Sequence, residues 1–262
     1  MSRSGTASKT SQGSQARKRF RPTLWATVCT VVALAILIAL GTWQVQRLFW
    51  KEGEIARRQE RVSAPAVPLP QSFPDPAEME FTRVRLQGRF LHAEEFYVGA
   101  RTENGRVGYH IVTPFALTDG RVILVDRGWV PENRRDPATR AEGQLDGQIT
   151  IEGLLRTGGW KGLDFARPPN KPEERFYFWL DLPVMAQTLF EGGVSEGPVI
   201  TEAYADAVAS DVPGGLPIGG QTRINLTNDH LEYAITWYSF AVILAVIWFL
   251  FHYRPERDSL ET

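Results

Sequence analysis

Two apolar stretches, one near each end of the 262-residue chain, constrain its architecture more than any other feature. Leu24 to Leu40 reads LWATVCTVVALAILIAL, and no charged side chain occurs between Arg21 and Arg47. Tyr233 to Phe251 reads YAITWYSFAVILAVIWFLF, again without a charge. A helix rises about 1.5 Å per residue, so about 20 apolar residues cross a hydrocarbon core of roughly 30 Å. Trp25 and Trp43 bracket the first run, and Trp237 and Tyr253 the second, as interfacial aromatic anchors do. Two buried helices of this kind would be hard to fit into a soluble domain of this size. The chain is read as two transmembrane helices, N- and C-terminal, enclosing one domain.

Charge sets the expected orientation. Arg3, Lys9, Arg17, Lys18, Arg19 and Arg21 precede the first run without a single acid, while Arg254 and Arg257 follow the second beside Glu256, Asp258 and Glu261. Taking those eight basic and three acidic residues from totals of 29 and 30 leaves 21 basic and 27 acidic between the runs. The positive-inside rule then puts both termini in the cytoplasm and the acidic middle on the far side. The expected divisions are a basic arm over 1–22, a span over 23–43, an extracytoplasmic domain over 44–230, a span over 231–253 and a tail over 254–262. The arm is acid-free like a mitochondrial presequence, but it lacks the large apolar residues an amphipathic helix needs. No A-x-A cleavage site follows Leu40, so an uncleaved anchor is expected, in a bacterial inner (plasma) membrane or, alternatively, the mitochondrial inner membrane.

Composition removes several function classes. With 43% hydrophobic and 23% charged residues the chain is neither a disordered tail nor a fibre, and its net charge of −1 argues against nucleic-acid binding. A single cysteine, Cys29 inside the first run, excludes an intramolecular disulfide, a CxxC redox pair and a Cys-paired metal site. In the bilayer it reads as a small packing residue.

The middle region reads as mainly β. Residues 43–63 continue as a helix with pairs such as Glu54 and Arg58, and five prolines between Ala64 and Pro76 read as an extended connector without regular structure. Alternation over Phe81–Leu86 and Glu95–Val98 marks strands. Asn104-Gly105 and Asp119-Gly120 mark hairpins joining 108–112, 113–117 and 121–125 to their neighbours. Gln148–Leu155 and Phe176–Leu180 add strands, 160–174 reads as a long loop, and Asp181 caps a short helix with Pro183 in its first turn. These elements predict an antiparallel meander closed, or nearly closed, into a barrel with helical additions.

Enzyme signatures are missing. There is no G-x-S-x-G, H-E-x-x-H, P-loop or dinucleotide fingerprint, so no catalytic residue is assigned. His92 is read as a solvated turn residue, His110 as a core or wall residue of the sheet, and His252 as an interfacial anchor. His230 differs, because it opens the second span within Asn228-Asp229-His230-Leu231-Glu232, a capping-box pattern. At helical spacing His230, Tyr233, Ala234, Trp237 and Ala241 share one face, an imidazole above aromatic rings and small residues. A flat apolar macrocycle with axial histidine ligation suits such a face; so does a plain helix cap. Trp43, Arg47 and Trp50 stack at the outer end of the first span, where Arg47 can hold a ligand carboxylate or a lipid phosphate.

Four segments together resemble the Surfeit locus protein 1 family: W-Q-x-x-R-x-x-W-K (Trp43, Gln44, Arg47, Trp50, Lys51), G-Y-H-I-V-T-P-F (108–115), V-D-R-G-W-V-P (125–131) and N-D-H-L-E-Y-A-I-T-W-Y (228–238). The resemblance covers about Leu24 to Tyr253. It implies an assembly factor for haem–copper terminal oxidase, chiefly cytochrome c oxidase, acting on the large catalytic subunit and associated with haem a. The family's proposed haem ligand corresponds to His230, and Arg47 would stand near a propionate. The haem a synthase is an implied further partner, with membrane lipid around the spans. V-D-R-G-W-V-P is open to two readings: a turn at Asp126-Arg127-Gly128 with Trp129 plugging the barrel, or Arg127 and Trp129 facing a partner subunit. Tyr109 and Thr113 carry no assignable chemistry. A scaffold that steadies the nascent oxidase subunit without haem would keep the same motifs. A sensor is disfavoured because the flanks at 1–22 and 254–262 leave no room for a signalling domain. Copper delivery is disfavoured because one Cys and three Met are scattered.

Overall fold

The computed structural model describes residues 18–20, 22–193, 197–222 and 227–255, so most of the basic arm and the tail beyond Pro255 lie outside the described residues. The chain divides into two compact units, one formed by residues up to Glu54 together with those from Thr227 onward, the other by Ile55 to Leu226.

The first unit is a helix pair. Helix α1 (Leu24–Ser63) is one continuous rod of 40 residues. The span and the following polar helix expected from the sequence merge, because no proline interrupts the chain between Pro22 and Pro65 and Gly53 sits in open space. Helix α3 (His230–His252) returns with 23 residues. Both helices are long and apolar enough to cross a membrane. Their seam is built on small residues: Gly41, Ala234 and Ala241 are buried, and a Cβ on Gly41 would lie 3.0 Å from the Tyr238 ring. With backbones that close, polar groups bridge the helices, Thr42 Oγ1 to the Tyr238 hydroxyl at 3.1 Å and Trp248 Nε1 to Thr27 Oγ1 at 3.3 Å. Large apolar side chains such as Trp25, Val31, Val242 and Leu250 stay exposed, which water penalises and hydrocarbon accepts. Beyond α3, strand β10 (Tyr253–Pro255) pairs antiparallel with β1 (Lys18–Phe20). His252 ends α3. It is buried, with Nδ1 donating to Trp248 O at 2.8 Å and the rings of Phe20, Trp248 and Phe251 around it.

The second unit is a mixed sheet with one capping helix. Its strands are β2 (Val67–Pro68), β3 (Arg83–Phe90), β4 (Phe96–Glu103), β5 (Arg106–Leu117), β6 (Val122–Pro131), β7 (Ile149–Arg156), β8 (Phe176–Tyr177) and β9 (Tyr204–Ala207). They lie in the order β2-β3-β7-β9-β6-β5-β4-β8 with a further β3–β5 pairing. Both expected hairpin turns form, with Asn104, Gly105 and Gly120 at positive φ. The two strands read at 108–112 and 113–117 are a single β5, running through Pro114, which stands opposite Leu124 of β6. The proline-rich connector contributes the two residues of β2, paired parallel to β3, where no regular structure was expected. The strand read over 176–180 shortens to two residues. β9 was not foreseen, because Tyr-Ala-Asp-Ala has weak strand propensity and is stabilised by its neighbours β6 and β7.

The ring β3-β7-β9-β6-β5 is not a true barrel. It closes through only three residue pairs, Gly88–Leu117, Arg89–Ala116 and Phe90–Phe115. One edge of β5 is shared: its end meets β3, while its first half carries β4, which leaves the ring with β8. Nor is it a pure meander, since β9 runs parallel to β6.

β6 explains why the core has two sides. Nine of its ten residues are buried, Ile123 and Val125 facing one cluster with Val84, Leu86, Phe115 and Leu155 while Leu124 faces the other with Phe96, Val112 and Tyr177. Helix α2 (Leu182–Glu191) closes the second side with Leu182, Met185 and Leu189. Asp181 caps it as expected, its carboxylate accepting from Val184 N at 3.4 Å, and Pro183 fills the first turn. Asp181→Ala is expected to lower stability by about 1 kcal/mol, read as a small fall in thermal midpoint. No fall would show that the long bond contributes nothing.

A buried charge network lies under the sheet. Glu95 accepts from Arg127 Nη1 at 3.2 Å and from Arg140 through both guanidinium nitrogens, and all three residues are buried. Arg127 also donates to Gln144 Oε1 at 3.0 Å and to Gly143 O, and lies 4.7 Å over the Phe90 ring. β6 continues through Asp126-Arg127-Gly128 with a shift in its register against β5, so the turn expected there does not form, and Arg127 and Trp129 are both buried. His92 is likewise not solvated, since its Nε2 meets Leu145 O at 3.0 Å and its Nδ1 meets Arg127 at 3.3 Å. Thr113 reaches Glu95 at 3.5 Å, and Tyr109 lies beneath the Arg135 guanidinium.

Candidate functional site

The candidate site is in the helix pair, where α3 begins. Asp229 takes the N-cap position, and Tyr233 N reaches Asp229 O at 3.3 Å, but the Asp229 side chain makes no cap bond, so the capping box suggested by Glu232 is not formed. The Asn228 amide oxygen is buried with no hydrogen-bond partner among the described residues. Lys51 on α1 donates to the Thr227 carbonyl and so ties the approach to α3 onto the first helix.

His230 is the first residue of α3 and half-buried. Its Nδ1 lies 2.7 Å from Gln44 Oε1 on α1. An amide oxygen only accepts, so Nδ1 donates to it, and in the neutral ring Nε2 is the nitrogen that holds the lone pair. Among the described residues nothing bonds to Nε2. An imidazole whose N–H is held by an oxygen acceptor is in the tautomer that ligates metal through the other nitrogen. The Trp43 ring stands edge-on, 6.5 Å from the imidazole centroid.

The other anticipated residues divide around this centre. One turn beyond Trp43, the Arg47 guanidinium carbon stands 3.8 Å from the Trp50 ring centroid, a cation–π contact that steadies the guanidinium. Trp237 is half-buried and meets Phe240 edge-on at 6.3 Å. Tyr233 is exposed and separate from the seam formed by Ala234 and Ala241. The structure therefore brings together His230, Gln44 and Trp43, with Arg47 a turn away, and leaves Tyr233 and Trp237 on the flank. Gln44 was missed as a site residue. Its signal was position, because it follows Trp43 and precedes Arg47 by three, at the height where a second helix would present His230. No group of three or more His, Cys, Asp or Glu suited to a metal ion occurs among the described residues.

Comparison with known proteins follows the same segments. The model described as the SURF1 family matches residues 31–242, which include both helical motifs and the whole sheet domain. A SURF1-like protein of Monosiga brevicollis is 38% identical over 257 residues, covering 94% of this chain and 94% of its own. The Surfeit locus protein 1 of Homo sapiens is 38% identical over 226 residues, covering 80% of this chain and 72% of its own. A SURF1-like protein of Drosophila melanogaster is 33% identical over 263 residues, covering 93% and 82%. With the family model matching most of its length and relatives at this identity, the chain belongs to the SURF1 family.

Proposed function

We propose that this protein is an assembly factor for a haem–copper terminal oxidase of the cytochrome c oxidase type, and that it holds haem a as cargo on the way to the catalytic subunit. The observation that carries the haem part is the 2.7 Å contact between His230 Nδ1 and Gln44 Oε1, which presents Nε2 with its lone pair. The residues present fit the group: one imidazole held at Nδ1, an adjoining tryptophan edge and an arginine over the Trp50 ring. Haem bound there would offer an iron for His230 and propionates for Arg47. Gln44 holds the ring at Nδ1, Trp43 provides an apolar wall, and Tyr233 and Trp237 contact from the flank. The protein performs no covalent chemistry in this reading.

The two apolar helices cross the membrane, both termini in the cytoplasm and the sheet domain outside, in a bacterial inner membrane or alternatively the mitochondrial inner membrane. The acid-free arm and the acidic central region support that orientation. The oxidase catalytic subunit, and the haem a synthase as donor, are the partners this role requires. The second reading is a haem-free scaffold for the nascent subunit. It is favoured by the exposed large side chains along both helices, a surface fit for packing against another membrane subunit.

The test is purification of the full chain after co-expression with the enzymes that make haem a, followed by its visible spectrum. Wild-type protein is expected to carry haem, His230→Ala to lose it, and Gln44→Ala to bind about 10–100-fold more weakly, the usual effect of removing an outer-shell partner. A haem-free wild type, or a His230→Ala protein with unaltered haem and ligation, sinks the cargo reading. Co-purification of the catalytic subunit would then test the scaffold.

A further inference from the structure

The loop from Trp160 to Lys171 turns its apolar residues outward. Residues 161–167 are exposed without a break. Among them Leu163 is 67% and Phe165 89% exposed, the latter the most exposed large apolar side chain among the described residues. Apolar residues scattered singly over a surface are ordinary, but here two stand at one tip, with exposed Ala166 beside them.

The tip is held firmly. At its entry Gly159 N donates to Leu180 O at 2.7 Å. Trp160 Nε1 and Ala166 N each donate to Leu163 O at 3.0 Å, and Arg167 N donates to Asp164 O at 3.2 Å. At its exit Trp179 Nε1 donates to Pro168 O at 3.1 Å, while Asn170 Oδ1 accepts from Phe178 N at 2.8 Å and Asn170 Nδ2 donates to Trp179 O at 3.2 Å. Leu163 and Phe165 are thus carried on a preorganised turn, and little entropy is lost when they meet another surface. The Leu163 and Asp164 carbonyls are satisfied inside the loop, as backbone entering an apolar medium requires.

The chemistry around the tip points to the occupant. Within 160–171 three cations, Lys161, Arg167 and Lys171, stand against one acid, Asp164, whereas the whole region between the apolar runs has 21 basic and 27 acidic residues. Lys161 meets Glu80 at 3.2 Å and Lys171 meets Glu174 at 3.0 Å, yet their side chains stay 60% and 49% exposed. Surface pairs of that kind are weak enough to exchange for another anion. Arg167 has no ion pair among the described residues and lies over the Trp179 ring at 5.7 Å. Two of the three tryptophans between Ile55 and Leu226, Trp160 and Trp179, therefore sit at the base of this one loop. An apolar tip above a collar of indoles and cations is the profile of an interfacial membrane anchor. The exposed Asp164 carboxylate limits the depth to the headgroup level, since a charge in hydrocarbon is costly.

We propose that this loop docks on an anionic phospholipid surface, with Leu163 and Phe165 entering the boundary between headgroups and acyl chains and Arg167 facing lipid phosphate. The inference rests on the reading that both apolar helices cross a bilayer, which keeps such a surface at high effective concentration.

The test uses the full chain with its single cysteine replaced, Cys29→Ala, and an environment-sensitive nitrobenzoxadiazole label on Ala166→Cys, or on Ala138→Cys as an exposed comparison elsewhere on the sheet domain. Each is reconstituted in phosphatidylcholine vesicles, with or without phosphatidylglycerol, carrying a nitroxide lipid labelled near the glycerol end of its acyl chain. The Ala166 label is expected to emit at shorter wavelength and to be quenched several-fold more than the Ala138 label, most strongly with phosphatidylglycerol present. Phe165→Ser removes an exposed ring, so it should leave the thermal midpoint unchanged and lower the ratio of docked to free loop roughly tenfold. Water-like emission, equal quenching at the two positions, indifference to phosphatidylglycerol, or unchanged quenching in Phe165→Ser overturns the proposal. Shortened wavelength without quenching also overturns it, by assigning the loop to a protein contact. Flotation of the unlabelled chain with the vesicles reads the spans separately. A chain that floats while its loop stays dry defeats the loop proposal alone, and one that does not float defeats both.

Discussion

Glu95→Ala is expected to destabilise the sheet domain by about 3–5 kcal/mol, the cost of leaving buried cations without their counter-charge. Glu95, Arg127 and Arg140 are all at most 5% exposed, and the carboxylate is bonded to both guanidinium groups. Removing it strands two positive charges together in a low-dielectric interior, with carbonyls, Gln144 and His92 Nδ1 left to accept. Acid should reproduce part of the effect. Burial by itself would raise the Glu95 pKa, but the His92 and Arg140 interactions and the Arg127 charge bring it down from 4.5 to about 2. A carboxylate depressed in the folded state stabilises above its unfolded pKa and loses that contribution as pH falls through the folded value. The window is therefore pH 4.5 down to about 2, and the amount at stake is about 3 kcal/mol. Urea denaturation of the wild type and Glu95→Ala across that window checks the claim. Wild type should lose stability steeply and the variant, already weaker, less so. Parallel curves would show that Glu95 is not the titrating group.

Gly128→Ala is the second large effect, and the substitution is chemically minimal. Gly128 has φ +111, and a Cβ there would lie 1.9 Å from the Ile218 carbonyl oxygen. That oxygen cannot easily retreat, because it accepts from Trp129 N at 2.9 Å while Ile218 N donates back to Trp129 O at 2.8 Å. Backbone strain and overpacking each cost about 1–3 kcal/mol, so a loss of roughly 2–5 kcal/mol is expected. The measurement is a thermal midpoint with Gly120→Ala as comparison, a glycine also at positive φ (+86) but with open space around its Cβ position. A larger fall for Gly120→Ala would sink the account, since it would mean that the conformation, and not the close approach of the 218 segment, sets the cost.

How much was legible follows from the range over which each signal acts. The apolar runs announced both helices, because hydrophobic length is a local property. Asn104-Gly105 and Asp119-Gly120 announced their hairpins for the same reason, as did Asp181 and Pro183 the start of α2. β9 was illegible: Ala205 and Asp206 have no strand preference of their own and take that conformation from β6 and β7 on either side. The barrel expectation failed where strands must share an edge, since spacing between turns does not say that β5 meets both β3 and β4 on one side. Arg127 reads as a surface cation until Glu95, 32 residues away, is seen to neutralise it.

The sequence by itself determined the helix pair, the charge asymmetry around it, the strand-rich middle and the family, for these rest on hydrophobic periodicity, net charge and contiguous motifs. Only the tertiary structure decided that His230 is oriented by Gln44, 186 residues earlier, that β9 carries Asp206 to a cavity with His110 and Asp126, and that the ring of strands stays short of a barrel. The physical reason is common to all three. A tautomer, a cavity lining and an edge pairing are properties of groups brought within hydrogen-bonding distance from remote parts of the chain, and linear spacing does not encode that distance.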